Sequence, residues 1–317
     1  MNISQEIKNQ IKMRLGGILY DEVKRSFKIK DYHGDLLKET IYKKRKQLFA
    51  MYFGTLLLAR KTRDRYGRVL WDTLCTLYTD SSDQTLFNFN GILLSKPVQV
   101  LHQNIFALEI QDFLIYYLIE DKNFCDAATR EGPYEIGEVK LVSGDVVIDC
   151  GANFGLFSAI AGRKGAVSYA FEPNRILVDS ILSKTASLNP NINICEYALS
   201  DKRKEIVVRD NVNNIGAGRV DYSSSGEGQV VQAISLDEFV HESNINRVDF
   251  IKADIEGAER YMVKGAKNVL REFAPKIAIC TYHLPDDSRV LRELILDANP
   301  KYMIEEKFYK MYAHVPK

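Results

Sequence analysis

The chain has 317 residues, 46% hydrophobic and 27% charged, with a formal net charge of +1. At roughly 100 to 200 residues per domain this allows one large domain with an extension, and the composition excludes an intrinsically disordered or membrane-spanning class. The longest apolar run, residues 48–59, is too short for a spanning helix of about 20 residues, and the scattered charges of the amino terminus exclude a secretory signal.

Charge is unevenly distributed. Residues 1–65 hold 16 Lys and Arg against 7 Asp and Glu, a net +9, which leaves −8 on residues 66–317. Residues 43–65 place the apolar run between KKRK and RKTRDR, a pattern suited to peripheral membrane contact and equally to a core helix with solvated basic ends. The five cysteines, Cys75, Cys125, Cys150, Cys195 and Cys280, lack metal or disulfide spacing and read as reduced thiols of a cytoplasmic protein.

In chain order, residues 4–27 and 36–65 show apolar positions recurring at three and four, which predicts helices. Residues 85–94 read as two short strands joined at Asn90-Gly91, and residues 105–120 return to helical spacing. Residues 131–145 form a turn-rich lead into VVIDC (146–150). From there strand and helix alternate: helix at 156–164, strand at 166–172, helix at 174–188, strand at 192–199, an irregular Asn/Gly/Ser-rich interval at 210–228, strand at 248–254, helix at 258–273, strand at 276–282, and a helix from about Asp287. Short, nearly all-apolar strands alternating with helices predict a parallel, doubly wound α/β sheet. Ligands of such sheets lie outside the carboxyl ends of the strands, near the switch point.

The first strand runs into Asp149-Cys150-Gly151-Ala152-Asn153-Phe154-Gly155. A dinucleotide turn would read GxGxxG, with a second close glycine where the backbone grips a pyrophosphate. Here Ala152 and Asn153 stand in that place, so the spacing DxGxxxG favours a ligand with a sulfonium and an amino acid tail and no phosphate. Gly151 permits close backbone approach or positive φ, and Asp149 offers an acceptor to a bound ammonium group. The next strand ends in Glu172, 21 residues after Gly151, where a ribose diol can donate both hydroxyls to one carboxylate.

Five blocks in order carry a family resemblance: EGPYEIGEVKLVSGDVVIDCGANFG, YAFEPN, EYALSD, ISLDEF and IKADIEGAE. Over roughly residues 131–282 the chain resembles the FkbM-type S-adenosylmethionine-dependent methyltransferases, whereas residues 1–130 contribute nothing to the likeness. The resemblance implies a Rossmann-like class I sheet of seven strands, mostly parallel, with helices on both faces, and the apolar spacing of residues 1–130 places a mainly helical extension with the short hairpin before it. The resemblance also implies S-adenosyl-L-methionine as cofactor, with contacts at Asp149, Gly151, Asn153, Gly155 and Glu172, Ala198 and Leu199 along the adenine, and Asp254 at the methionine end. The family often has a histidine or similar residue where Ala258 stands, so no role carries over to that position.

The clamp for planar amines, [DN]PP[YF], is absent: Asp254-Ile255-Glu256-Gly257 occupies its place. If still on the strand, Asp254 and Glu256 would share one face, and His283 at the neighbouring strand end could face them. Glu256 and His283 are therefore the candidate catalytic pair for deprotonating a hydroxyl, against the plainer readings of a helix-capping acid and a loop histidine. Asp254, Glu256 and His283 also suit Mg²⁺ or a related cation, although the sequence assigns no metal ligand. Tyr134 either lines the pocket or packs as a core aromatic, and Asn213, Asn214 and Arg219 belong to an acceptor loop or to a mobile turn.

The expected activity is O-methylation of a hydroxyl on a sugar, glycan or secondary metabolite. Methylation of protein or nucleic acid is an alternative that the basic first 65 residues permit, but no aromatic-interleaved RNA patch is visible and no nucleic acid partner is expected. A cofactor-binding assembly module without turnover and an NAD-dependent oxidoreductase are further readings. Acceptor, dimer and membrane contacts all remain open roles for residues 1–130.

Overall fold

The computed structural model describes residues 83–89, 91–98, 132–209, 219–221 and 228–316, with Cys75, Thr79, Gln103, Phe106, Ile110 and Phe113. Two units are distinguished: residues 1–84 with 98–130, and residues 85–97 with 131–317. The expected helices at 4–27 and 36–65, the stretch 43–65, most of 105–120, Cys125, Asn213 and Asn214 lie outside the described residues. Among the described residues no helix is long and apolar enough to cross a membrane.

The second unit begins with the hairpin. Strands β1 (Leu86–Phe89) and β2 (Ile92–Ser95) pair antiparallel, with Phe89 opposite Ile92. Gly91 takes φ 84° and donates its N–H to Asn88 Oδ1 at 2.7 Å, the left-handed backbone that glycine adopts without a Cβ clash. Phe87, Phe89 and Leu94 are fully buried. The hairpin packs with the residues that follow 131: Asn189 donates to the Leu93 carbonyl at 2.9 Å, and Thr185 accepts from the Ser95 N–H at 3.3 Å.

The remaining elements in order are β3 (Val146–Cys150), α1 (Leu156–Arg163), β4 (Val167–Phe171), a helical segment α2 over residues 175–188 with a π turn at Val178–Leu182, β5 (Ile192–Cys195), β6 (Ala198–Ser200), β7 (Lys204–Arg209), β8 (Arg219–Asp221), β9 (Gln229–Ser235), α3 (Leu236–Glu242), β10 (Phe250–Ala253), α4 (Glu259–Lys264), α5 (Lys267–Glu272), β11 (Lys276–Cys280), α6 (Asp287–Ala298), β12 (Met303–Lys307) and β13 (Lys310–His314). Seven strands form one sheet in the order β12-β13-β11-β10-β3-β4-β5. β3, β4, β5, β10 and β11 run parallel, and β13 enters antiparallel between β11 and β12. The expected class is thus observed, a mostly parallel seven-stranded sheet with helices.

Central strands are apolar on both faces because helices cover both. In β10 all four residues are buried, and in β3 and β11 only the first is not. β-branched residues suit such strands, since their stiff χ1 favours a pleated surface. Ile148, Ile251, Ile277 and Ile279 meet Leu291 and Ile295, four residues apart on α6, in one core. The chain order reverses at β3, which has β4 on one side and β10 on the other, so the turns after β3, β4 and β10 share one end of the sheet.

The structure differs from the sequence reading in one region. Residues 192–199 form two strands in two sheets: β5 closes the main sheet at Cys195, and after Glu196-Tyr197 the chain enters a second sheet ordered β6-β9-β7-β8. A single stretch of strand-forming residues does not show where the chain changes sheet. The interval 210–228 also contains β8, whose backbone includes Arg219, paired antiparallel with β7. Pairing over that separation is decided by partners rather than by local pattern.

Candidate active site

The turn after β3 is fastened to the end of β4. Gly151 and Ala152 both donate to the Phe171 carbonyl, at 3.0 and 2.9 Å. Gly151 has φ 77°, and a Cβ there would lie 2.1 Å from the Asp254 carbonyl oxygen; β10 approaches too closely for any side chain. Asn153 has φ 50° and donates its N–H to Glu172 Oε2 at 2.9 Å. The other oxygen, Oε1, accepts the Asn174 N–H at 2.9 Å, and the Asn174 side chain caps α2 through the Ile176 N–H. Glu172 is thereby fixed by backbone on both sides.

Burial pushes the Glu172 carboxyl up to about 7, against the opposing pull of the N–H groups of Asn174 and Asn153 and the charge of Lys252. Each oxygen uses one acceptor position on the backbone and keeps another. That is the arrangement a vicinal diol requires, two adjacent acceptors that do not compete with the fold.

Asp149 is not among the residues that line the cleft. It is 0% exposed, its Oδ2 accepts the Ser158 hydroxyl at 2.7 Å, and its Oδ1 lies 3.1 Å from the Lys252 ammonium. The ammonium group expected beside it therefore comes from the chain itself. Lys252 also donates to the Gly151 carbonyl at 2.6 Å and the Cys150 carbonyl at 3.3 Å, so the Asp149–Lys252 pair braces the glycine turn from behind. Burial opposes the Lys252 charge, but Asp149 and then Asp254 more than reverse that and hold the ammonium above its ordinary range. Gly155 is likewise a packing position. It has φ 82°, and a Cβ would meet Leu182 at 2.9 Å and Thr185 at 3.1 Å on α2.

At the opposite side of the turn, β10 ends at Ala253, so Asp254 and Glu256 stand in the loop beyond the strand. Strand alternation does not apply to them, because Glu256 has φ 54° and Gly257 φ 102°. The loop nevertheless turns both acids toward one histidine: His283 Nε2 lies 3.6 Å from Asp254 Oδ1 and 3.7 Å from Glu256 Oε2. Its Nδ1 lies 2.9 Å from Glu259 Oε1, an ion-pair contact without good hydrogen-bond alignment. Glu259 is fully buried and accepts the N–H groups of Ile255 at 2.8 Å and Gly257 at 3.0 Å. Glu259, rather than Glu256, is the acid tied to the backbone ahead of α4.

Burial works against a charged His283, but Glu259 first, then Asp254 and Glu256, raise it to about 9. Burial also opposes charge on Asp254; Lys252, His283 and Lys310 outweigh it and hold the carboxyl below its ordinary range. Tyr134 donates its hydroxyl to Asp254 Oδ2 at 2.7 Å, and its ring meets Phe157 edge-on with centroids 5.4 Å apart. Tyr134 therefore both packs and positions Asp254. Tyr282 donates to Asp254 Oδ1 at 3.4 Å.

Part of this set opens onto a cleft whose lining includes Gly151, Glu172, Tyr197, Ala198, Leu199, Asp254 and Glu256. Phe171, Tyr197, Leu199 and Val208 give it apolar lining suited to a flat purine, and the carboxylates of Glu172 and Asp254 line it as well. The residues fit S-adenosylmethionine: an apolar slot, two adjacent acceptors and a remote acid for an ammonium group. Of the residues singled out in the sequence, Gly151, Glu172, Ala198, Leu199, Asp254 and Glu256 line the cleft, Asn153 supports it through Glu172, and His283 stands behind Asp254 and Glu256. Lys252, Ser158 and Glu259 were missed. A lysine inside an otherwise apolar strand, in "VDFIKAD", was the available signal, since an unpaired charge is rarely buried.

The family model described as Methyltransferase FkbM domain matches residues 149–308, just over half of the chain. A hexuronic acid methyltransferase, AglP, from Haloferax volcanii strain DS2 is 27% identical over 154 residues, which cover 49% of this chain and 62% of that protein; the chain spans less than two thirds of the relative's length. Among solved structures, the methyltransferase FkbM from Methylobacillus flagellatus KT is 20% identical with a TM-score of 0.46, covering 78% of this chain and 59% of that one. A SAM-dependent methyltransferase from Aquifex aeolicus is 15% identical with a TM-score of 0.32, covering 56% and 86%. From the family match over residues 149–308, the chain belongs to the FkbM methyltransferase family.

Proposed function

We propose that the protein methylates a hydroxyl group of a sugar or glycan. The observation that carries this reading is the convergence of Asp254, Glu256 and His283 at the cleft wall, with Nε2 3.6 and 3.7 Å from the two carboxylates and no clamp for a planar amine in the same loop. S-adenosylmethionine, when bound, supplies a methyl group on a sulfonium, ready for in-line displacement. Glu172 holds the ribose diol and Asp254 the amino acid end. An alcohol oxygen becomes strongly acidic as it gains a third substituent and turns into an oxonium, so the proton must leave as the C–O bond forms. Glu256, with its side chain 26% exposed on the cleft, takes that proton, and His283 holds the carboxylate in place. Positioning contributes the rest of the acceleration.

The similarity to a protein named as a hexuronic acid methyltransferase supports a sugar acceptor. Methyl transfer from labelled cofactor into uronic acid-containing glycans, with parallel protein and nucleic acid fractions, tests the class. The expected result is label in the glycan fraction only; label confined to protein or nucleic acid would overturn it. Glu256→Gln and His283→Ala, each retaining cofactor binding, should slow turnover by about 10² to 10⁴-fold, the usual range for a lost proton-transfer group, and undiminished rates in both would remove them from the mechanism.

A further inference from the structure

Of the described Phe and Tyr side chains, Tyr282 and Tyr309 alone are exposed, by 40% and 60%, and both stand at the end of β11. The β12–β13 connection consists of Phe308 and Tyr309, since Lys307 pairs with Lys310, and Lys310 pairs with Cys280 of β11. The Tyr309 carbonyl accepts the N–H of Thr281, the residue before Tyr282, at 2.9 Å. With paired Cα atoms about 5 Å apart and successive ones about 3.8 Å, the two tyrosines are anchored within roughly 10 Å of each other.

The turn that carries Tyr309 is strained. Phe308 has φ 56° and Tyr309 φ 60°, the left-handed pair of a tight hairpin turn, for which Asn-Gly is the favoured sequence. Aromatic residues there cost stability, because a Cβ in that conformation crowds the next carbonyl, and strain of this kind collects where ligands are held. Phe308 serves the fold: a Cβ at Gly132 would lie 2.5 Å from it, so it covers the backbone leading to Tyr134, and the Lys307 ammonium stands 4.5 Å from its ring centroid. Tyr309 is left at the surface.

Tyr282 is tied to the reacting end of the cleft. Its hydroxyl donates to Asp254 Oδ1 at 3.4 Å, and its ring centroid lies 4.2 Å from that of His283. Asp254 lines the cleft that fits the cofactor, and neither tyrosine does.

We propose that Tyr282 and Tyr309 bind the sugar acceptor, Tyr282 against the ring that carries the reacting hydroxyl and Tyr309 against a neighbouring part of the glycan. This rests on the reading of a glycan acceptor. A pyranose carries C–H groups on its faces and hydroxyls around its edge. The C–H groups lie against the negative face of an aromatic ring, while phenol oxygens and carboxylates take the hydroxyls. Tyrosine suits this better than an aliphatic residue, because it offers a rigid apolar plane with a polar tip at low entropic cost. A sugar held on Tyr282 is within reach of Glu256, which faces the same histidine.

Binding is measured on the full-length protein saturated with S-adenosylhomocysteine, so that no turnover is required. The probes are oligosaccharides containing glucuronic acid and neutral hexose oligosaccharides of the same length. Tyr282→Ala and Tyr309→Ala should each weaken the binding of at least one probe about fivefold or more, whereas Tyr282→Phe and Tyr309→Phe, which keep the ring, should stay within about threefold. A second readout needs no variant: with ¹³C in the tyrosine rings, nuclear Overhauser contacts to the C–H protons of the bound sugar are expected, and binding without them overturns the proposal. Unchanged affinity in either alanine variant overturns it and leaves the glycan acceptor standing. A protein that binds none of these sugars overturns it together with the glycan reading.

Discussion

Replacing Glu172 with Gln keeps the side chain's size while removing its charge and one acceptor, and it turns an NH₂ against the N–H of Asn153 or Asn174. In the free protein burial raises Glu172 from its ordinary value of 4.5 to about 7, so near neutrality the group is about half protonated. A ribose diol donates two hydrogen bonds and stabilises the charged form, and binding therefore displaces a proton from the neutral fraction. With a free value of about 7, affinity should tighten about tenfold between pH 6 and pH 8, roughly 1.4 kcal/mol, and level off above that. Losing the charged acceptor should weaken binding by about 1.5 to 3 kcal/mol, some 10 to 150-fold at pH 8, and flatten the pH profile. Calorimetry with S-adenosylhomocysteine at pH 6, 7 and 8 on both proteins measures each quantity. A pH-independent affinity in the unaltered protein, or a variant within twofold of it at pH 8, would refute the assignment of the diol to Glu172. The same shift has a consequence for the unliganded fold. Since the folded value lies above the unfolded one, the contribution of Glu172 to stability is fully present below about pH 4.5 and is lost as pH rises through about 7.

Lys252→Met leaves Asp149 fully buried with only Ser158 as a partner and should destabilise the fold by about 3 to 5 kcal/mol; urea denaturation measures this, and a loss under 1 kcal/mol on that scale would contradict a bracing role for the pair. Gly151→Ala puts a Cβ 2.1 Å from the Asp254 carbonyl in a residue with φ 77°, so a loss above about 4 kcal/mol, or no folded protein, is expected from combined clash and backbone strain; a soluble variant with the parent's melting temperature would show that β10 and the turn are not held together. Tyr134→Phe removes the 2.7 Å donor to Asp254 and should cost about 1 to 3 kcal/mol by thermal or chemical denaturation, with cofactor affinity falling as Asp254 loses its orientation.

The fold was legible because its strands are unusual. VVIDC, FIKA and KIAIC are almost wholly apolar, with Asp149, Lys252 and Lys276 as their only charges, a pattern few elements other than covered parallel strands produce, and the helices between them repeat at three and four. The glycine turn was legible for a related reason: left-handed backbone at Gly151 and close approach by β10 both exclude a side chain. Less legible was anything that depends on distant partners. Ala198 and Leu199 read as the end of the third strand, yet they belong to β6 in a second sheet, because the main sheet had no further partner for them and β9 did. Asp149 read as a ligand contact, since nothing local to DCGAN announces a lysine that arrives 103 residues later on the adjoining strand.

The residue order alone determined which chemical groups are available at the carboxyl ends of the strands: an acid after β4, two acids after β10, a histidine after β11, and no second glycine for a phosphate. Local geometry is encoded in nearest neighbours, so these assignments needed no coordinates. Tertiary structure decided how the groups divide between cleft and interior. Parallel pairing of β3 with β10 sets Lys252 opposite Asp149, which neutralises one acid inside the protein, while the left-handed turn at Glu256 and Gly257 and the buried Glu259 direct the others toward His283. A charge in a low-dielectric interior is governed by the nearest opposite charge in space, and that distance is a property of the folded chain.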